Sequence, residues 1–456
     1  MKQPFVKSVG IVVIVGFALL GMSSCHHDDP VTATPVKPEP EQPEPEQPKP
    51  EPPKDTTLKV ISMSPGTVSS GDTLVVKGNN FSTSAAEDKV TLNELQATVI
   101  SASDTILKVV IPVLTHTTNE LKVQVGASTV TAGSITYEPD VFVAGSVTNS
   151  LSVATYWKNG KAVAVSQNES ALNAISVNAY GVYVAGWERV NNLQLANYWK
   201  DGNKTTLGTD ASAVYAMAVN GTEVYAGGFE IINGFDLPRY WHNTTGTTVD
   251  VNDPIISKVV LGNGACGGIY FANNTVYAVG NYRNSQGAFC PWETENGVTP
   301  ANTIPNNGKH AFGNGVFVAG GDKYVAGTQN SPLTGLAMAT VWKNGATTLL
   351  TNGDNSIGIA RAVVVVGSDV YVAGYEQEDY SHGGPTYAKY WKNGVPVKLS
   401  TVNSNAIAIA VFDKDVYVAG WENNGTRNVA KYWKNGTPVS VTDGAFASTA
   451  NAITLR

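Results

Sequence analysis

Past residue 57 the apolar positions of this chain come in short runs broken by Gly, Asn, Asp and Ser. They do not recur at the three-to-four spacing of an amphipathic helix over any useful length, and short strands joined by turns are the expectation. Between residues 58 and 138 the runs are Leu58–Met63, Thr73–Lys77, Val90–Leu92, Ile106–Ile111, Leu121–Val125 and Ser134–Tyr137. Their even spacing predicts a small β-sandwich.

From Val141 onward the pattern repeats itself. One anchor is Val182-Tyr183-Val184-Ala185-Gly186, with cousins ending at Gly145, Gly228, Gly280, Gly327, Gly374 and Gly420. The other is Tyr198-Trp199-Lys200-Asp201-Gly202, with cousins at Trp157, Trp241, Trp292, Trp342, Trp391 and Trp433. The two alternate strictly, at intervals of 41 to 52 residues. That is the length of a four-stranded propeller blade. An inner strand precedes the first anchor, the first anchor is the second strand, the third ends at the Trp, and a short outer strand follows a turn. The inner and second strands are apolar on both faces, as a sheet covered on both sides requires. Asn159-Gly160, Asp201-Gly202, Asn296-Gly297, Asn344-Gly345, Asn393-Gly394 and Asn435-Gly436 predict type I′ turns before the outer strand. Asn243-Thr244-Thr245-Gly246 predicts a longer one. The Trp series reads as core packing between blades.

The first unit lacks an inner strand, and the chain ends on Asn451-Ala452-Ile453-Thr454-Leu455, an inner strand with no second strand after it. The C-terminal strand is therefore expected to complete the first blade and remove an open edge. The predicted fold is all-β, with a small immunoglobulin-like sandwich at 57–138 and a seven-bladed β-propeller at 139–456. Its short turns share the rim where the chain arrives from the sandwich. The longer connections collect on the other rim.

The N-terminal part is of a different kind. Lys2 and Lys7 precede an apolar run, Val9 to Leu20, which ends in Leu20-Gly21-Met22-Ser23-Ser24-Cys25. The run is short for a membrane span and reads as an export signal. The small residues before Cys25 resemble a bacterial lipobox, although Met22 stands where Leu is commonest. The resemblance implies a signal peptide at 1–24 and acylation of Cys25, hence attachment to the membrane through lipid alone. An ordinary secretory signal is the alternative. The following His26-His27-Asp28-Asp29 resembles a surface-export signal of Bacteroides-type lipoproteins; a solvated acidic spacer explains it equally well. Ten prolines fall between Pro30 and Lys54. A Pro/Glu-rich stalk over 25–56 is expected, reaching roughly 70–80 Å at about 3.1 Å per residue.

Within the sandwich, Gly71-Asp72-Thr73-Leu74-Val75-Val76-Lys77-Gly78-Asn79-Asn80-Phe81 resembles the signature of IPT/TIG domains, as do Pro65 and Val110-Ile111-Pro112. The resemblance implies an immunoglobulin-like spacer or interaction module rather than chemistry.

The formal charge is −7 and no basic cluster is present, which argues against nucleic acid. No Ser-His-Asp, metal-ligand or phosphate-loop spacing stands out, and no cofactor or metal is expected. Cys266 and Cys290 fall on the inner and third strands of one sheet, about 9.5 Å apart unless the strand ends converge, so their pairing stays open. An aromatic followed by Glu closes four of the first anchors: Trp187-Glu188, Phe229-Glu230, Tyr375-Glu376 and Trp421-Glu422. Such a pair suits a sugar ring, by stacking and hydrogen bonding. It equally suits a blade cap whose Glu meets a cross-strand Lys such as Lys200 or Lys434. The acidic insertion Glu376–Gly384 suits Ca²⁺, a ligand or plain solvent. Asp55-Thr56-Thr57, Asp72-Thr73-Leu74 and Asp104-Thr105-Ile106 resemble the O-glycosylation sequon of Bacteroides-type bacteria, which marks Thr56, Thr73 and Thr105.

The function expected is that of a non-catalytic lipoprotein of the outer membrane, facing the cell exterior, that binds a glycan or protein ligand on the long-loop rim. A polysaccharide-degrading propeller enzyme, or an envelope scaffold or adhesion protein with no small ligand, are the alternatives.

Overall fold

The computed structural model describes residues 55–248, 264–284, 288–296, 302–306 and 309–456. The signal peptide, Cys25, the export tetrad and nearly all of the stalk lie outside them. Among the described residues every regular element is a strand. The first domain places Lys59–Ser64, Thr73–Asn79, Ile106–Val110 and Leu95–Ala102 in one layer. Asp88–Leu92, Thr118–Val125, Ser128–Tyr137 and the short Thr67–Val68 form the other. Alternating inward residues such as Leu74, Val76, Leu107, Val109, Leu121 and Val123 fill the space between.

The remaining strands form seven four-stranded sheets, one per repeat. Blade two shows the common plan: Ser170–Asn178, Gly181–Val190, Leu193–Lys200 and Asn203–Thr206, each antiparallel to the last. Blade one is Val141–Thr148, Ser152–Lys158 and Lys161–Ala164, completed on its inner side by Ala447–Leu455 from the C-terminus. The ring is closed by that strand. Arg456 exchanges backbone hydrogen bonds with Asp140, and its guanidinium donates to Asn178 O of blade two at 2.7 Å.

All seven repeat tryptophans are fully buried, one in each gap between blades. Trp199 meets Phe142, Ala144 and Ala154 of blade one. Trp157 meets Tyr417, Ala419 and Ala430 of blade seven across the closure. Each such burial contributes roughly 2–3 kcal/mol, and alanines opposite leave the ring its room. Trp292 departs from the register: it pairs with Gly280, and Thr294 takes the place opposite Ala278 that Trp199 takes opposite Val184. A second joint recurs at the blade edges. The hydroxyls of Ser170, Ser212, Ser404 and Ser448 each accept the N–H of an alanine in the preceding blade's third strand at 2.9 Å.

Five of the turns before the outer strands have the expected positive φ at both residues, 49° and 80° at Asn159-Gly160. The Asn does more than tolerate that conformation. Its Oδ1 accepts the N–H that starts the second strand, from Val141 to Asn159, Val370 to Asn393 and Val416 to Asn435, at 2.8 Å each. The third unit's turn is not longer: Asn243 and Thr244 alone join His242 to Thr245, because Asn243 makes the same clamp to Val224. Gly297 lies outside the described residues. The lysine after the Trp lies over the second-strand aromatic, as Lys392 does over Tyr371 at 5.2 Å.

The sandwich rests on the short-turn rim. Tyr137 packs on Phe412 at 5.7 Å between ring centroids, and Thr117 N–H donates to Asp413 in the first turn of blade seven. The opposite rim is less uniform than expected. Blades two and three close their second and third strands with two-residue turns, Asn191-Asn192 and Asn233-Gly234, because those strands run long. Longer links remain in blades five and six, at residues 331–336 and 378–385.

Candidate ligand-binding mouth of the propeller

The inner strand of every blade carries a β-bulge, and the bulges explain the glycine of the first anchor. In blade two the pairing steps from Leu172↔Gly186 to Ala174↔Ala185, so Asn173 is left over. The bulge drives the inner backbone against the second strand: a Cβ on Gly186 would stand 2.0 Å from Ala171 O. The same approach, at 1.8 to 2.0 Å, holds at Gly145, Gly228, Gly280, Gly327, Gly374 and Gly420. Only glycine fits there.

The extra residue of each bulge turns into the axis of the ring. Asn173, Asn314 and Asn451 supply three amides. Tyr215, Arg361 and Ile407 supply a phenol, a guanidinium and an apolar side chain, and Gly267 leaves a gap. They line one cavity of about 440 Å³, joined by Asn281 and Asn405. The bulges come early in the inner strands, so the cavity lies toward the rim opposite the sandwich. Three amides are also braces between blades: Asn173 Nδ2 donates to Val214 O, Asn314 to Ala360 O and Asn451 to Leu172 O, at 2.8 to 2.9 Å. Asn405 Oδ1 has no hydrogen-bond partner among the described residues.

The four sequence-marked aromatics are strand residues rather than loop residues. Phe229 packs on the cavity residue Tyr215 at 5.7 Å between centroids. Tyr375 carries the Arg361 guanidinium over its ring at 5.8 Å. Trp421 is the strand partner of Asn405, and Trp187 that of Ala171. Asn281 is blade four's residue at the same place. Phe229 and Tyr375 therefore stand directly behind the bulge ring, and Trp187 and Trp421 hold the equivalent strand positions in blades two and seven.

The carboxylates beside them point to the other face of each sheet and are engaged there. Glu188 pairs with Lys204 and accepts from Ser166; Glu230 pairs with Arg239 at 2.9 Å and accepts the Thr209 N–H. Glu376 pairs with Lys389 at 2.7 Å, and Glu422 with Lys431 and Ser400. Ser166, Thr209 and Ser400 lie in the links arriving from the preceding blade, so three of these carboxylates fasten those links. Lys200 and Lys434 are not the partners: Lys200 lies over Tyr183, and Lys434 reaches Asp415 and Glu138. Burial pushes the Glu188 carboxyl up, but Lys204 and Ser166 outweigh it and hold it below the usual carboxylate range. Glu422 is depressed in the same way by Lys431 and Ser400 against its burial.

The acidic insertion is engaged too. Glu378 meets Lys389 and Lys398, and Asp379 meets His382 at 2.9 Å. No group of three metal-ligating side chains occurs among the described residues. No disulfide joins Cys266 and Cys290, and burial pushes the Cys266 thiol up to about 12.

Residues 57–140 match the IPT/TIG domain family. No curated protein matches the chain. Among solved structures, a protein of unknown function from Bacteroides thetaiotaomicron is similar at 15% identity and a TM-score of 0.42, over 83% of this chain and 98% of its own. An auxiliary nutrient binding protein from Bacteroides ovatus is similar at 13% identity and 0.29, over 85% and 86%. Another of that description from Bacteroides thetaiotaomicron is similar at 11% identity and 0.31, over 83% and 98%.

Proposed function

We propose that the protein is a non-catalytic binding protein of the bacterial cell surface, held by a lipid on Cys25, and that it takes a glycan at the mouth of its propeller. One observation carries the reading: the bulge ring gathers amides, a phenol and a guanidinium around one cavity, with Phe229 and Tyr375 directly behind it. Amide groups both donate and accept, as sugar hydroxyls do, and aromatic faces accommodate sugar rings. The described lining holds no pair of carboxylates of the kind that cleaves a glycosidic bond. Rigid strands hold these groups, so little ordering cost falls on binding. The four aromatics are the part of the sequence-marked set retained for ligand contact; their neighbouring glutamates act on the blades.

In this reading the tethered sandwich lies on the rim away from the mouth, which leaves the mouth free for a polymer. Thr56, Thr73 and Thr105 are exposed and available to a glycosylating enzyme. An intact mass of the native protein equal to peptide plus lipid would remove that part of the proposal. The test of function is a polysaccharide and glycan-array screen with the detergent-solubilised chain. Retention of at least one glycan, lost in Asn405→Ala with unchanged unfolding temperature, is expected. Retention of none defeats the reading.

A further inference from the structure

The mouth is asymmetric in charge. The chain as a whole is acidic at −7, yet none of the described residues lining the cavity is a carboxylate. The single charged side chain there is Arg361, at the bulge of blade six, exposed to the cavity. The Tyr375 ring lies beneath it, and no carboxylate among the described residues forms an ion pair with it. Several other basic side chains of the propeller meet carboxylates: Lys389 meets Glu376 and Glu378, Arg239 meets Glu230, Lys323 meets Glu293.

Amide N–H donors are available around it: the side chain of Asn281 has no described partner, and neither the Nδ2 nor the Oδ1 of Asn405 has one. A guanidinium has five N–H donors in a planar fork and no acceptor. In blade three, Tyr215 is raised above the ordinary phenol range by burial first and by the Asp236 carboxylate second. A site with a fixed cation, spare amide N–H groups and no internal counter-ion is complementary to an oxyanion.

Resting on the glycan reading above, we infer that the ligand is an acidic glycan, whose carboxylate or sulfate group is held by Arg361 while the amides of the ring take its hydroxyls. The fork over Tyr375 favours a planar two-oxygen partner, so a uronic acid carboxylate is the better match of the two sources.

Affinity of the full chain in detergent micelles would be measured at low salt for polygalacturonate, for its carboxyl-reduced neutral counterpart, for dextran sulfate and for dextran. Each acidic polymer is compared with its own neutral backbone, and polygalacturonate is expected to bind at least ten-fold tighter than its reduced form. Added salt should weaken it, since the contact is ionic. Arg361→Gln should abolish the preference while leaving thermal unfolding unchanged. A preference confined to dextran sulfate keeps the oxyanion assignment and identifies sulfate as its source. Equal binding of acidic and neutral forms by the unaltered chain overturns the inference and leaves the glycan reading standing; so does a preference that survives Arg361→Gln. Binding to none of the four, with an empty glycan array, overturns both.

Discussion

The carbonyl oxygen of Ala171 lies 2.0 Å from where a Cβ of Gly186 would be. This one approach ties the most regular feature of the sequence to the least regular feature of the structure. The glycine is repeated because the bulge beside it is repeated. Gly186→Ala is expected to cost about 1–3 kcal/mol, since the clash is with backbone and cannot be relieved by a rotamer change. Gly66, where an added Cβ meets nothing within 4 Å, is the control and should tolerate alanine with little change. Thermal unfolding of both variants decides; equal behaviour would show that the bulge can relax.

Most of the architecture was legible because it is repetitive. A Trp fills every blade gap, an Asn or Asp clamps every outer turn, and the terminal Asn451–Leu455 run matches the inner strands upstream, so the ring could be closed on paper. What escaped was whatever the repeats do not share. The strand Leu95–Ala102 was missed because its turn is Asn93-Glu94, with Glu94 at φ 78°, where glycine would have been the visible signal. Trp292 sits two residues out of register without any mark in the repeat. The bulge ring escaped for a deeper reason: its members are Asn, Tyr, Gly, Arg and Ile, and a search for sameness passes over the one position that varies. The signal was indirect, in seven glycines demanding a close backbone approach.

Removal of Asn451–Arg456 tests the closure. It would delete the pairing of Ala452–Leu455 with Val141–Ala144, the Asn451 brace to Leu172 and the Arg456 contact with Asn178. A loss above about 4 kcal/mol is expected, together with concentration-dependent association through the bared edge of blade one. Unchanged unfolding and a monomeric elution profile would mean that the ring holds without its last strand.

Glu188, buried, and Glu422, half-buried, make stability depend on acid. Glu188 and Glu422 have depressed folded-state values, so their contribution is present above the unfolded value, near 4.5, and is lost as pH falls through the folded one. The unaltered protein should therefore lose unfolding temperature steadily below about pH 4.5. Glu188→Gln should be less stable than the parent at pH 7 and show a shallower acid decline. Parallel profiles for the two proteins would remove Glu188 from the acid response.

In the proposed reading attachment rests on Cys25, and it is tested apart from the fold. Cys25→Ala should leave the membrane fraction and lose metabolic fatty-acid labelling. Label that persists on the variant would mean that the lipid is carried elsewhere, and label absent from the unaltered protein would make a secreted protein with an ordinary signal the better description.

The aromatics behind the mouth offer the sharpest separation of ligand contact from packing. Trp391 is fully buried between blades five and six, against Ala339, Val341 and Ala360. Trp391→Ala should cost about 3–5 kcal/mol and lower binding only as far as it unfolds the protein. Tyr375 and Trp421 are half-buried, beside Arg361 and opposite Asn405. Their alanine variants should weaken capture of the retained glycan ten-fold or more and change stability by about 1 kcal/mol or less, since each ring gives up little core contact. Measuring unfolding and binding on the same preparations keeps the two effects apart. If Tyr375→Ala and Trp421→Ala instead follow Trp391→Ala, losing stability first and binding in proportion, the rings are blade packing and the mouth must recognise its ligand through the amides and Arg361 alone.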